Sequence, residues 1–458
     1  MKPPRTLQSP APVRRSLAQI VSAVALALLA SCGGYDNNPS CDLVSRQSGL
    51  HDYFFDWYFW YALSPFPPPG SQPTIDAYFN ALLYTGTDPN FPADRWSTHQ
   101  STQSFVEFFA NGQVLGYGLF VADLEVTTPA PQPAAPLAVR YVEPLSPAAT
   151  AGVVRGDRVV SVNGRTAADM IAANDFSVFT PSASGDTISV VLENTAGQRT
   201  VDIVAQLFKL TPLSTATVVT SPGGRKMGYL VVKDLIDQLA PPLAAAFASF
   251  SSQGVSELVI DLRYNGGGFV SIGRALASYV NPALTAGQTY TSLLYSNKRS
   301  AQNTIFHFVT PSNALALTRV YVLQGPRTCA AAEQVVNALK PFVDVVQIGD
   351  TSCGRPVGFS PVDDGCGETY SVVNFEVVNA SNQGRYFNGL DPQCAVAEDF
   401  GKALGAPDEP LLATAGNHAD GIACPVAAAS SRQRPLAAQL RQWMDASSGG
   451  ERPSMIPR

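Results

Sequence analysis

Apolar and polar positions divide the chain into stretches of different texture. Leu17 to Ala30 is a mostly apolar run preceded by Lys2, Arg5, Arg14 and Arg15. It is shorter than the roughly 20 residues a spanning helix needs, and its basic flank predicts a signal peptide. From Asp42 to about Ser104 the pattern is helical and aromatic, with "HDYFFDWYFWYALSPFPPP" and then "TIDAYFNALLY". Those spacings predict a small helical core that buries Trp57 and Trp60. From about Phe105 to Phe208 short alternating strands are separated by turn signals. "RVVSV" reads as a strand, and Asn163-Gly164 after it reads as a hairpin turn. From about Lys209 to Ser430 strands alternate with helices, which predicts an α/β core. "GYLVV", "ELVIDL", "RVYVLQ" and "VDVVQIG" have the compact apolar texture of buried strands, and "GFVSIGRALASYV" (Gly268–Val280) suits a helix. Gln324 to Pro341 reads as a turn opening into a helix. Beyond Ser430 one short helix, "PLAAQLRQWM", is expected before a polar end.

The divisions that follow are 1–32 (signal peptide), 33–104 (tether and N-terminal helical segment), 105–208 (β-rich domain), 209–430 (α/β core) and 431–458 (tail). Within 105–208, "TTPAPQPAAP" (Thr127–Pro136) is expected to form a flexible loop.

Composition changes the picture in two places. Net charge is −6 and no basic run follows the N-terminus, so nucleic acid is not an expected partner. The apolar run ends in "LASC" (Leu29–Cys32), which resembles a bacterial lipobox. Such a cysteine is lipidated and becomes the mature N-terminus, which implies an exported, periplasmic-side protein held to a membrane by lipid alone. An ordinary signal peptide with an incidental cysteine is the alternative. Of seven cysteines, setting Cys32 aside leaves Cys41, Cys329, Cys353, Cys366, Cys394 and Cys424. An even set in an oxidising compartment suggests disulfides, with the pairing left open. No CxxC pair occurs, and His51, His99, His307 and His418 lie far apart, so no metal site is expected.

"EPLSPAATAGVVRGDRVVSVNGRT" (Glu143–Thr166), with "GYGLF" (Gly116–Phe120), resembles a PDZ domain. The resemblance implies that the backbone of Gly116, Tyr117, Gly118 and Leu119 meets the carboxylate of a peptide or protein C-terminus, the peptide adding a strand to the sheet edge. The order of segments, with "VIDLRYNGGG" (Val259–Gly268), "RTCAAAEQVVNALKPF" and "IGDTSCGRPVGF", resembles the C-terminal processing (tail-specific) serine peptidases. That family implies an α/β peptidase core of ClpP/crotonase-like type, a β-rich PDZ-like domain and an N-terminal helical segment, with no cofactor.

Active members of that family use a Ser–Lys dyad. The serine lies three residues before a glutamate at a helix start, and the lysine 25 residues further on. With Glu333 as the glutamate, the serine position is Ala330 and the lysine position is Arg355. Alanine has no nucleophilic atom, and arginine does not give up its proton in a protein. The lost serine would also have capped the helix against Glu333, with Thr328 nearby as a substitute cap. The resemblance implies that Gly267 or Gly268, with the N–H of Ala331, binds the oxyanion, and that Asp261 and Arg263 fix the glycine loop. A binding protein with an impaired dyad is the first expectation. An active endopeptidase using Cys329 is the alternative, since a helix N-terminus lowers a thiol pKa. Against it, Cys329 has a competing disulfide role, with Cys353 or another cysteine. Ser352 and Ser360 are expected to be loop serines. An altered copy of an active enzyme would explain Ala330 but not Arg355.

Overall fold

The computed structural model describes residues 40–122, 137–173, 175–425 and 454–458. The expected signal peptide with Cys32, the Thr127–Pro136 loop and the helix expected over "PLAAQLRQWM" lie outside these residues.

Helix α1 (Leu43–Trp57) begins where the Asp42 carboxylate accepts from the Val44 and Ser45 N–H groups, at 3.1 and 3.0 Å, the arrangement an N-cap supplies. It buries Gln47, Leu50 and Phe54 along one face and packs on α2 (Ile75–Leu82), which Thr74 caps. Trp60 is buried, as expected, but Trp57 is only half-buried, under the Arg299 guanidinium at 4.2 Å from its ring centre. The reason is local. The helix stops at Trp57, the backbone extends, and Tyr58 enters the core instead, its hydroxyl donating to Asp94 at 2.7 Å. Helix α3 (Thr102–Phe109) leads into the β-rich region.

In that region β1 (Leu119–Ala122), β2 (Ala138–Val142), β3 (Arg158–Val162), β4 (Thr187–Asn194) and β5 (Gly197–Val204) lie side by side in that order, all antiparallel. Short helices α4 (Pro147–Thr150) and α5 (Ala167–Ala173) flank the sheet. Asn163 and Gly164 have φ of 49° and 79°, the two left-handed positions of a type I′ hairpin turn. Val139, Val190, Leu192 and Met170 fill a core private to this region.

The α/β core holds β6 (Leu213–Thr220), β7 (Lys226–Val232), β8 (Glu257–Asp261), β10 (Arg319–Gln324), β11 (Asp344–Gly349) and β12 (Cys394–Ala395), in that order. A short strand between β8 and β10 in sequence, β9 (Gly267–Phe269), stands apart from this sheet. All neighbours in the sheet are parallel except β6 and β7. Alternate strand residues sort to opposite faces, as a pleated strand requires. Leu230, Val232, Leu258, Ile260, Val320 and Val322 share one core with α6 (Ala240–Gln253), α7 (Val270–Ser278) and α8 (Ala331–Leu339). Tyr229, Val231, Val259, Tyr321 and Leu323 share the other with α9 (Pro410–Ala419). Both faces are covered, which is why these strands read as continuous apolar runs.

Helix α7 is shorter than the expected Gly268–Val280. Gly267 and Gly268 sit at φ of 107° and 141°, which no right-handed helix admits, so the stretch before the helix is β9. Its partner is a parallel strand, β13 (Ser454–Ile456), where no strand was expected. Three disulfides use all six cysteines other than Cys32: Cys41–Cys366, Cys329–Cys353 and Cys394–Cys424. Among the described residues no helix is long and apolar enough to cross a membrane.

Candidate active site

Strand β10 ends at Gln324, and the chain loops back before α8 starts. Ala330, the residue before the helix, is fully buried with φ 53° and ψ −115°. A side-chain-bearing residue rarely takes positive φ. Placed between a strand and a helix, it has the backbone shape of a nucleophile elbow.

Glu333 organises the surrounding loop. One carboxylate oxygen accepts from the Ala330 N–H at 3.0 Å and the Arg355 N–H at 2.8 Å. The other accepts from the Ser352 hydroxyl at 2.5 Å and the Gly354 N–H at 2.8 Å. Burial pushes the carboxyl up to about 7, against four donors that favour its charged form. Half of a capping box survives here. Thr328 does not supply the other half, because its hydroxyl donates to the Leu262 carbonyl (2.8 Å) and accepts from the Gly325 N–H (3.0 Å).

The Arg355 backbone is thus tied to Glu333. Its guanidinium is buried, donates to the Trp96 carbonyl at 2.6 Å and stands 5.2 Å from the Phe359 ring centre. It joins the loop to the N-terminal helical module. The Cys329–Cys353 bond spans the same corner, fixing the residue before Ala330 to a residue two before Arg355. A sulfur held in a disulfide is no thiolate, so Cys329 is not available as a nucleophile while the bond is intact. Cys329, Glu333 and Cys353 also bring three potential ligand atoms together, but with both sulfurs bonded to each other the thiolates a metal would need are missing.

The glycine loop faces this corner. A methyl placed on Gly267 would lie 2.9 Å from the Ala331 nitrogen and 3.1 Å from the Ala330 Cβ. Ala331 opens α8, where a helix leaves its N–H groups without internal partners. The Gly267 N–H donates to the Asn265 side chain at 2.8 Å, so of the two glycines Gly268 is the one whose N–H is not spent inside its own loop. Behind the loop, Arg263 is gripped by Asp261 (2.9 Å), Glu409 (2.8 Å) and Glu398 (3.2 Å).

A model of peptidase family S41 matches residues 226–396, and a PDZ domain model matches residues 139–176. This chain is a PDZ-bearing member of peptidase family S41. The S41 member is 27% identical over 289 residues to a chloroplastic C-terminal processing peptidase of Tetradesmus obliquus, covering 58% of this chain and 57% of that one. It is 23% identical over 255 residues to the carboxy-terminal processing protease CtpB of Bacillus subtilis (strain 168), covering 55% and 51%. The match thus spans little more than half the length of these curated relatives. A solved S41 protease structure from Bacteroides fragilis NCTC 9343 superposes with a TM-score of 0.64 at 25% identity, covering 81% of this chain and 97% of that one. The fold is the ClpP/crotonase-like S41 fold, with a PDZ domain and N-terminal helices.

In the S41 member's PDZ domain, the Gly116–Leu119 loop has both middle carbonyls engaged. Tyr117 accepts from Ala148 N–H at 2.9 Å and Gly118 from Glu143 N–H at 3.0 Å. The Tyr117 and Leu119 side chains pack into the PDZ core, and β1 after the loop lies at the end of the sheet order. Any role in carboxylate capture therefore falls to the backbone. The PDZ domain docks on the peptidase core through Arg155, which donates to Tyr264 Oη (2.6 Å), Glu398 (2.8 Å) and the Lys402 carbonyl (2.8 Å). Gly354 and Trp96 escaped sequence reasoning, and Ser352 was expected only as a loop serine. A serine hydroxyl, a glycine N–H and a main-chain carbonyl carry no signal until folding brings them to Glu333 and Arg355.

Proposed function

We propose that this S41 member is an exported lipoprotein that binds peptide or protein C-termini through its PDZ domain and the cleft at Ala330 without cutting them by Ser–Lys chemistry. The observation that carries it is Ala330 itself. Its backbone keeps the strained geometry of a nucleophile position beside a glycine loop, while its side chain is a methyl group. Arg355 is the second change. An amine lowered by burial would accept a hydroxyl proton; a guanidinium tied to the Trp96 carbonyl does not. The names of the curated relatives support C-termini as ligands, and three disulfides fit a compartment outside the cytoplasm. Lipidation at Cys32 rests on the "LASC" motif.

The test is a peptidase assay on an unstructured protein with a C-terminal tag, run on the unaltered chain, Ala330→Ser, Arg355→Lys and the double variant. Cleavage is expected only in the double variant. An oxyanion hole alone can leave about 10³–10⁴-fold catalysis over water, so trace hydrolysis by the unaltered chain fits the proposal. Robust cleavage that disappears in Cys329→Ala would overturn it. Peptides with free C-termini should bind better than amidated ones, and Cys32→Ser should shift the protein from membrane to soluble fractions. Equal binding sinks carboxylate capture, and unchanged fractionation sinks the lipid anchor.

A further inference from the structure

Strand β13 lies in the candidate active site. Ser454, Met455 and Ile456 run parallel to Gly267, Gly268 and Phe269 in direct register. The Ser454 N–H donates to the Gly266 carbonyl at 2.9 Å. In a parallel ladder of this register the next bond runs from the Gly268 N–H to the Ser454 carbonyl. On its other side, the Met455 carbonyl accepts from the Phe359 N–H at 3.0 Å. Main chain therefore holds both edges of the segment, as a captured peptide strand is held.

Its side chains are sequestered too. Met455 is 0% exposed, and Met455 and Ile456 belong to the same apolar core as Ala330, Ala331 and Phe359. Beyond them Arg458 reaches Asp237 at 3.1 Å and stacks 4.9 Å from the Phe269 ring centre. The decisive placement is that of the Ser454 carbonyl. The same methyl imagined on Gly267, close to the Ala331 nitrogen and the Ala330 Cβ, would run into the Ser454 carbonyl oxygen. That carbonyl, the Ala331 N–H and the carbon that would carry a nucleophile thus surround one point.

We propose that residues 454–458 are a pseudo-substrate bound in cis, with the Ser454–Met455 peptide bond where a scissile bond would lie. The cleft's ligand class follows from this occupant: an extended peptide with a small residue at the carbonyl position and two apolar residues after it. The proposal rests on reading Ala330 as the nucleophile position, and its two tests separate the two ideas.

The first test is binding, and it needs no catalysis. A labelled peptide Ser-Met-Ile-Pro-Arg is titrated against the full unaltered chain and full-chain Met455→Asp, whose carboxylate cannot stay in an apolar site. Apparent affinity falls with the fraction of open cleft, so the variant should bind about tenfold or more tightly than the unaltered chain. Arg458→Ala, at the exposed end, should shift affinity the same way by a smaller factor and guards against misfolding of the first variant. Equal affinity in all three chains, or no binding to any, overturns the self-occupied cleft. The second test is intact mass of the Ala330→Ser/Arg355→Lys variant. There the restored hydroxyl oxygen bonds to the Ser454 carbonyl carbon and the bond to the Met455 nitrogen breaks. The hydroxyl proton passes through the restored amine to that nitrogen, and water then hydrolyses the ester to a carboxylate. Loss of Met-Ile-Pro-Arg is the expected result. A variant that stays uncut while the binding shift is seen would overturn the scissile placement and the nucleophile assignment, and leave the occupied cleft standing.

Discussion

Alanine at position 330 sits on a backbone that alanine would not choose. Holding φ at 53° costs about 1–3 kcal/mol for a residue with a Cβ. Ala330→Gly releases that strain but loses a buried methyl (about 0.8 kcal/mol) and adds chain entropy of about 1 kcal/mol, so its net effect on stability should be smaller than the roughly 2 kcal/mol loss those two terms alone would give. A urea midpoint lowered by the full roughly 2 kcal/mol would refute stored strain here. Glu333 gives a second expectation at this scale. Its carboxyl is raised from 4.5 to about 7 in the fold, so between those values the native state holds a proton that the unfolded chain has released. Stability must then fall as pH rises through that window, by something on the order of 3 kcal/mol from this group, and level off above it. Subtracting the pH profile of Glu333→Gln from that of the unaltered chain should leave this slope. A rising or flat difference would show that the four donors outweigh burial.

At the scale of elements, the sequence was most legible where one local rule acts alone. "RVYVLQ" is β10 and "RVVSV" is β3 at both ends, because continuous apolar runs and an Asn-Gly turn need no distant partner to be read. Glu333, three residues into its helix, and the glycine loop were legible as motifs for the same reason. Trp57 was misplaced because the helix stops there and the extended backbone after it turns Tyr58 into the core instead. The first residues expected in α7 became β9 because two consecutive glycines at positive φ cannot be helical. Strand β13 was invisible: three residues with a partner nearly two hundred positions away have no periodicity of their own. The disulfide pairing was closed to inspection on similar grounds, since Cys41 meets Cys366 only after the N-terminal module has packed on the core.

Across the whole molecule, one ionic cluster ties the PDZ domain to the machinery of the cleft. Arg155 of the PDZ domain shares Glu398 with Arg263, and Arg263 leads directly into the glycine loop. Burial works against charge on Glu398, yet Arg263 and Arg155 hold its carboxyl below the ordinary value. The contact is thus fully formed above the ordinary glutamate range and is lost as pH falls below it. Arg155→Ala should free the PDZ domain at a cost below the about 3–5 kcal/mol of an orphaned buried charge, because Glu398 keeps Arg263 as a partner. Small-angle scattering should show a larger radius of gyration, and amide exchange around Tyr264 should quicken. An unchanged scattering profile and unchanged exchange would mean that the domains are held by something else. The pairing of β9 with β13 has a consequence in time. A ribosome delivers Gly267 long before Ser454, and the sheet, α8 and the Glu333 corner can all assemble in the interval. A molecule that folds as it emerges, N-terminus first, therefore completes its cleft before its own strand arrives.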